Sequence, residues 1–222
     1  MRHEEQQQGA RNIWVMKKIL LRKRFLTISS CLMAAIVLSS LGVKAQTEPG
    51  TFTLMPKVGL NMAKSGFDDT KMKAGAVAGV EAEYRFSQLF GLSAGLLYSM
   101  QGDKADKGDG KFKTEYINIP ILAHIYVWKG LSINAGIQPG FMTKAKEDYD
   151  DMSVDVKDAC NTFDFSIPVG LSYEFSDIVI DARYNIGVTD IYKNNTVEFD
   201  DVDYDYGKNG VLSITVGYKF AL

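Results

Sequence analysis

Downstream of residue 45 the chain holds a single histidine, His124, and a single cysteine, Cys160. His124 could serve as a general base toward a serine. A lipid-modifying hydrolase of that kind needs a serine and an acid in reach, with the histidine turned toward lipid. One cysteine and one histidine are too few for the usual multi-cysteine zinc or iron–sulfur sites. Acids cluster twice. Glu147, Asp148, Asp150, Asp151, Asp155 and Asp158 form the first group; Asp190, Glu198, Asp200, Asp201, Asp203 and Asp205 form the second. Carboxylates at that density hold divalent cations where they converge, and otherwise make a solvated, self-repelling surface. Asp201-Val202-Asp203-Tyr204-Asp205 resembles the start of a calcium loop. Such a loop needs Gly at its sixth position and Glu at its twelfth, where this chain has Tyr206 and Leu212. Tyr149, Phe199, Tyr204 and Tyr206 sit among the acids, where aromatic side chains either anchor a partner or pack on each other. Cys160 reads as an incidental thiol. None of these residues is assigned a catalytic, cofactor-binding or metal-binding role, no cofactor is implied, and the chain reads as a non-enzyme.

The elements that carry these residues are strands. In 163–175, Phe163, Phe165, Ile167, Val169, Leu171, Tyr173 and Phe175 share one face, and Asp164, Ser166, Pro168, Gly170, Ser172 and Glu174 the other. In 178–188, Ile178, Ile180, Ala182, Tyr184, Ile186 and Val188 oppose Val179, Asp181, Arg183, Asn185 and Gly187. Strict period-two alternation is a strand signal, and Ser176-Asp177 between the arms is short enough for a tight turn. Each arm is long enough for the roughly 9–11 residues a tilted strand needs to cross a bilayer. One face is charged and the other continuously apolar, so lipid outside and a polar lumen inside suit both.

The same alternation recurs in strands expected over 53–63, 73–86, 90–101, 113–128, 131–143 and 211–220. Pro56 suits a strand end or bulge, since it lacks a ladder donor. The eight strands are joined by short turns at 87–89, 129–130 and 176–177 and by long loops at 64–72, 102–111, 144–161 and 190–210. Short periplasmic turns and long outer loops are the asymmetry of an eight-stranded antiparallel up-and-down transmembrane β-barrel, an all-β fold. Tyr84, Phe86, Phe90, Tyr173, Phe175, Tyr218 and Phe220 fall at one interface and Tyr98, Phe141 and Phe163 at the other, as two aromatic girdles. Parity turns Lys57, Glu81, Glu83, Arg85, Asp164, Glu174, Asp181, Arg183 and Lys219 inward. An eight-stranded barrel has room inside for little besides side chains, so these charges are expected to form a salt-bridged plug rather than an ion path. The same parity turns His124 inward, away from lipid. Periodicity does not say which face is inside. A soluble lipocalin-like binder would carry the apolar face inward.

The ends differ in charge. Residues 1–45 hold eight of the 25 Lys/Arg and two of the 27 Asp/Glu, so the remainder carries 17 bases against 25 acids. An acidic body argues against nucleic acid as a partner. Lys17, Lys18, Arg22, Lys23 and Arg24 precede an apolar stretch over 25–43, and Val43-Lys44-Ala45 gives a cleavage site before Gln46. Residues 1–45 therefore read as an upstream extension plus cleaved signal peptide, with Met16 as the natural start, and residues 46–222 as the barrel domain.

Pro56-Lys57-Val58-Gly59-Leu60-Asn61 resembles the opening strand motif of the outer-membrane β-barrel domain family that includes the PorT-like proteins. Tyr116-Ile117-Asn118-Ile119-Pro120-Ile121-Leu122 resembles that family's mid-barrel strand, and the resemblance covers roughly 51–222. It implies a barrel in the bacterial cell outer membrane and permits a PorT-like role in a protein secretion system. The reading is a non-enzymatic outer-membrane protein with a structural or interaction role through its extracellular loops. The alternatives are the secretion component and a narrow small-solute porin. Expected partners are outer-membrane lipid and lipopolysaccharide, and envelope or secretion proteins.

Overall fold

A computed structural model describes residues 47–66, 70–106, 110–149, 152–193 and 207–222. The elements are β1 (Phe52–Lys64), β2 (Thr70–Arg85), β3 (Phe90–Ala105), β4 (Lys111–Asn118), β5 (Ile121–Trp128), β6 (Leu131–Tyr149), β7 (Met152–Asp155), β8 (Phe163–Phe175), β9 (Ile178–Asp190), β10 (Lys208–Tyr218) and β11 (Phe220–Ala221). Among the described residues a single 3₁₀ turn, Lys157–Ala159, interrupts them. Every pairing is antiparallel, and each strand pairs with the next around a ring that closes between β10 and β1. β4 and β5 together make one barrel strand, β10 and β11 make another, and β7 pairs with β6 off the ring, which leaves eight strands around it.

The two interruptions have causes in the sequence. Pro120 has no N–H to continue the ladder, so the fourth barrel strand, expected to run unbroken over 113–128, divides at Ile119-Pro120. Both residues stay pinned: Pro120 accepts from the Gly95 N–H at 2.9 Å, and the Ile119 N–H donates to Pro139 at 2.8 Å. The other break lies at Pro56. Lys57 pairs with Gly217 and Leu54 with Phe220, and between them the Lys219 N–H turns away to the Asp177 carbonyl at 2.7 Å.

Burial follows the alternation. Along β3, Leu92, Leu96 and Tyr98 are exposed while Ser93, Leu97 and Ser99 are buried. Apolar residues therefore face outward and polar residues inward, opposite to a soluble lipocalin-like arrangement. From Phe90 to Met100 the exposed face is apolar. At roughly 3.3 Å per residue and about 40° of tilt that stretch stands about 25 Å tall, the height of a barrel's lipid-facing band. The tight turns match their residues too: Ser176 takes φ 55° between β8 and β9, and Gly130 takes φ 85° between β5 and β6.

The outer segments depart from the expected loops. β2 begins at Thr70, β3 runs to Ala105, and β6 continues to Tyr149 before β7 returns beside it. Much of 64–72, 102–111 and 144–161 is thus strand, standing above the apolar band as a continuous sheet of β2, β3, β4, β6 and β7. Charged and polar residues replace the apolar ones there, and the alternation slips where Gln101, Gly102 and Asp103 are buried in succession and where the register shifts at Glu115. The absence of an apolar stripe hides the strand from a hydropathy pattern, while the backbone ladder continues.

The lipid-facing band carries a direct test. Val169 stands at the middle of β8, between Phe163 and Phe175, and is exposed. Val169→Arg is expected to destabilise the folded barrel by about 2–4 kcal/mol in urea titrations from lipid vesicles, the cost of an arginine at mid-bilayer. Val169→Leu is expected to leave the midpoint in place.

Candidate functional site in the lumen and at the outer mouth

All nine charges assigned inward by parity are buried. Eight of them sort into two networks, each with two cations and two anions. In the central one, Glu81 takes Lys57 Nζ at 3.1 Å on one oxygen and Arg183 Nη1 at 3.0 Å on the other. Arg183 Nη2 reaches Asp181 at 3.0 Å, and Asn134 donates to the same carboxylate oxygen at 3.2 Å. Gly95 makes the space for this. A Cβ there would lie 2.5 Å from Glu81 Cγ.

The second network floors the barrel at its periplasmic end. Lys219 Nζ bridges Glu83 at 2.8 Å and Glu174 at 2.9 Å. Arg85 lies 3.6 Å over the ring of Tyr126, whose hydroxyl donates to Glu83. Thr47 closes the floor: its N–H and its hydroxyl both donate to Glu174, at 2.9 and 2.7 Å. Pairing of this kind is what lets charges stay buried, because a lone buried ion costs several kcal/mol.

Asp164, the ninth charge, differs. It accepts from Asn209 Nδ2 at 2.9 Å and Thr189 Oγ1 at 3.3 Å, and makes no ion pair among the described residues. Asn209 also donates to the Tyr116 hydroxyl at 3.1 Å. This polar layer lies directly beneath an apolar cap. Phe112, Tyr116, Met142, Ala145, Cys160 and Ile191 pack together there, with Val156 and Tyr192 against them. The segment between β7 and β8 supplies Cys160 by bending inward: Val156 N–H bonds to Ala145 at 3.1 Å, and Met142 N–H bonds to Thr162 at 2.7 Å. Asn161 and Lys193 tie it to the chain after β9. In the middle of the lumen the space bordered by Lys57, Asn118, Arg183, Asn185 and Thr215 amounts to about 10 Å³, room for about one water. Among the described residues, a hollow of about 170 Å³ opens at the outer mouth above the cap, bordered by Asp103, Phe112, Glu147, Tyr149 and Tyr192.

His124 lies in the lumen, as parity requires, with Ser93 Oγ 2.7 Å from its Nε2. The pair resembles half of a hydrolytic triad. Nδ1 has no partner among the described residues, and both side chains are enclosed in the barrel wall away from lipid. The described acids of the outer clusters do not converge. Glu147 accepts from the Tyr192 hydroxyl at 2.8 Å, Asp148 pairs with Lys113, Asp155 accepts from the Lys157 N–H at 3.0 Å, and Asp190 lies 3.9 Å from Lys208. The Lys113 contact and the Ser153 hydrogen bond hold Asp148 below the usual carboxylate range. Among the described residues no three acid, histidine or cysteine side chains gather at one point. Asp150, Asp151, Glu198, Phe199, Asp200, Asp201, Asp203, Tyr204, Asp205 and Tyr206 lie outside the described residues. Tyr149 is exposed on the crest of the β6–β7 hairpin.

Cys160 packs inside the cap. It is fully enclosed in the cap, and burial pushes its thiol up to about 11. Sequence reasoning missed it, and with it Phe112, Met142 and Ile191, because the cap is assembled from four separate segments with no shared period. The one available signal was an apolar cluster, Cys160 and Ile191, at the edges of two acidic stretches.

Two measurements follow from this geometry. Glu81→Gln leaves two buried cations short of a partner and is expected to cost about 3–5 kcal/mol in urea unfolding followed by Trp128 fluorescence. Asp164→Asn removes a buried charge that has no cation, and is expected to be neutral or stabilising by up to about 1 kcal/mol. Cys160 is expected to resist N-ethylmaleimide in the folded barrel at pH 8, where well under about 1% would be thiolate, and to react fully after heat unfolding.

The chain matches the family model described as an outer membrane protein beta-barrel domain over residues 44–193. Similar solved structures include Ail, the attachment invasion locus protein of Yersinia pestis, at 18% identity and a TM-score of 0.48, covering 78% of this chain and 99% of that one. Neisserial surface protein A is similar at 20% identity and a TM-score of 0.49, covering 79% of this chain and 100% of that one. The outer membrane protein OprG from Pseudomonas aeruginosa is similar at 14% identity and a TM-score of 0.40, covering 81% and 100%. No curated protein sequence matches the chain. With a closed ring, an apolar outer band and a family model spanning most of the barrel, this chain belongs to the outer membrane protein β-barrel domain family and resides in the bacterial outer membrane.

Proposed function

We propose that this protein is a non-enzymatic surface protein that works through its outer hairpins, with the barrel as a sealed pedestal. The observation that carries this reading is the filled lumen. Two neutral charge networks occupy its central and periplasmic parts, the central space is about 10 Å³, and an apolar cap covers the outer end. A solute would have to displace paired ions and the cap together, which argues against a porin. The enclosed Ser93–His124 pair offers no access to lipid or to a soluble substrate. What the barrel does present is the sheet that rises above its band. Tyr149, Met152 and Val154 are exposed at the crest of that sheet, and exposed aromatic and apolar side chains on a rigid edge are the usual anchors of a protein partner. Residues 1–45 act as the export leader, with the mature chain starting at Gln46.

Two measurements test this. Planar-bilayer recordings of the refolded barrel are expected to show no discrete conductance steps, whereas reproducible steps would restore the porin reading. A photo-crosslinking residue at Met152, on intact cells, is expected to form a discrete adduct that the same residue at lipid-facing Val169 does not. Absence of any adduct from Tyr149, Met152 and Val154 would remove the crest as the working surface. An adduct with another envelope or secretion protein would favour the PorT-like role.

A further inference from the structure

The outer flank of the barrel, below the crest, carries an arrangement that its own stability does not explain. Lys71 lies directly opposite Lys104, and Lys104 directly opposite Lys111, across three neighbouring strands. One row lower, Lys113 faces Lys146. Lower still, Lys144 faces Glu115. Phe112, Thr114 and Ala145, which alternate with these lysines, are buried toward the lumen side, so the lysines project from the outside wall. Like charges directly opposite on one sheet face are destabilising. Here there are three such lysine–lysine pairs in a chain whose body is acidic.

Carboxylates answer only half of the charge. Lys71 pairs with Asp106 at 2.6 Å, Lys113 with Asp148, and Lys144 with Glu115 at 3.2 Å. Asp148 lies opposite Lys111 but bonds Lys113, and Asp155 lies opposite Lys146 but accepts from the Lys157 N–H. Among the described residues Lys104, Lys111 and Lys146 make no ion pair. The position of the rows identifies the anion. Lys144 shares its row with Met100, at the top of the apolar band. Two residues of tilted strand raise each row by about 5 Å along the membrane normal. Measured along each strand, Lys113 and Lys146 thus stand one step, and Lys71, Lys104 and Lys111 two steps, above the row of Met100 and Lys144. The headgroup layer is roughly 5–7 Å deep on each side, so the lower row lies within it, and the long stems of the upper row lower their ammoniums to it.

We propose that this lysine-rich flank of β2, β3, β4 and β6 binds the phosphate groups of a phosphorylated glycolipid in the outer leaflet, with Lys104, Lys111 and Lys146 as its principal contacts. The lipid phosphates supply the negative charge that the opposed lysines lack. The flank faces sideways into the leaflet, so it is a separate surface from the crest, whatever the crest engages.

The test is native mass spectrometry of the detergent-solubilised full barrel mixed with lipid A, compared with the triple variant Lys104→Gln, Lys111→Gln, Lys146→Gln. Heat-modifiable gel mobility confirms that both are folded. Wild type is expected to retain lipid A well in excess of lipid A stripped of its phosphates. The triple variant is expected to lose at least tenfold in apparent affinity, about 1 kcal/mol per lysine being the scale of such contacts. Equal retention of the phosphorylated and stripped lipids, or an unchanged triple variant, would overturn the proposal. So would inorganic polyphosphate that binds wild type as tightly as lipid A does, since the flank would then be a site for a soluble polyanion.

Discussion

The structure depends on one seam. In hydrocarbon no water is available for an unpaired N–H or C=O, so a sheet crosses only if its first and last strands find each other. β1 and β10 do so through eight consecutive pairs, from Lys57 with Gly217 to Lys64 with Gly210. The seam loosens where Pro56 could not have donated anyway, and there Lys219 spends its N–H on the turn at Asp177. Its side chain is then free to enter the floor network between Glu83 and Glu174. Closure and lumen chemistry are therefore linked at one residue.

Closing eight strands leaves an interior only as wide as the side chains within it. Every inward residue must be compatible with its neighbours across the lumen, which explains glycines such as Gly95 opposite long charged residues such as Glu81. It also explains why the charges come in two balanced sets rather than as scattered ions. Asp164 stands outside both sets, in a layer of amide and hydroxyl donors between the ion pairs and the apolar cap. The interior thus grades from ions, through neutral polar groups, to a hydrocarbon lid. Nothing in that gradient favours transport, and the surfaces that can meet other molecules lie outside the wall and above it.

Much of this was legible in the residues. Parity alone turned all nine lumen charges, Tyr116, Leu122, His124 and Tyr126 inward, because a strand has only two faces and the backbone ladder keeps them fixed. Pro56 announced the seam break. The misjudged parts lie where no apolar stripe exists: β3 past Gln101, β6 past Thr143, and the β7 return. Strands above the membrane alternate lysine with buried small or polar residues, and that pattern reads as loop. The cap was not legible at all, since Phe112, Met142, Cys160 and Ile191 come from four segments whose meeting is a property of the closed ring.

By itself the sequence determined the number of membrane strands and which residues share a face, since each rests on local period. Tertiary structure decided which face is inside. A period-two pattern is symmetric in its two faces, and only the closure of β10 onto β1 with the charged side chains mutually paired breaks that symmetry. It decided likewise that the lysines of five separated positions would line up across β2 to β6. Sequence spacing cannot register strands that are dozens of residues apart, but one continuous hydrogen-bonded ladder can.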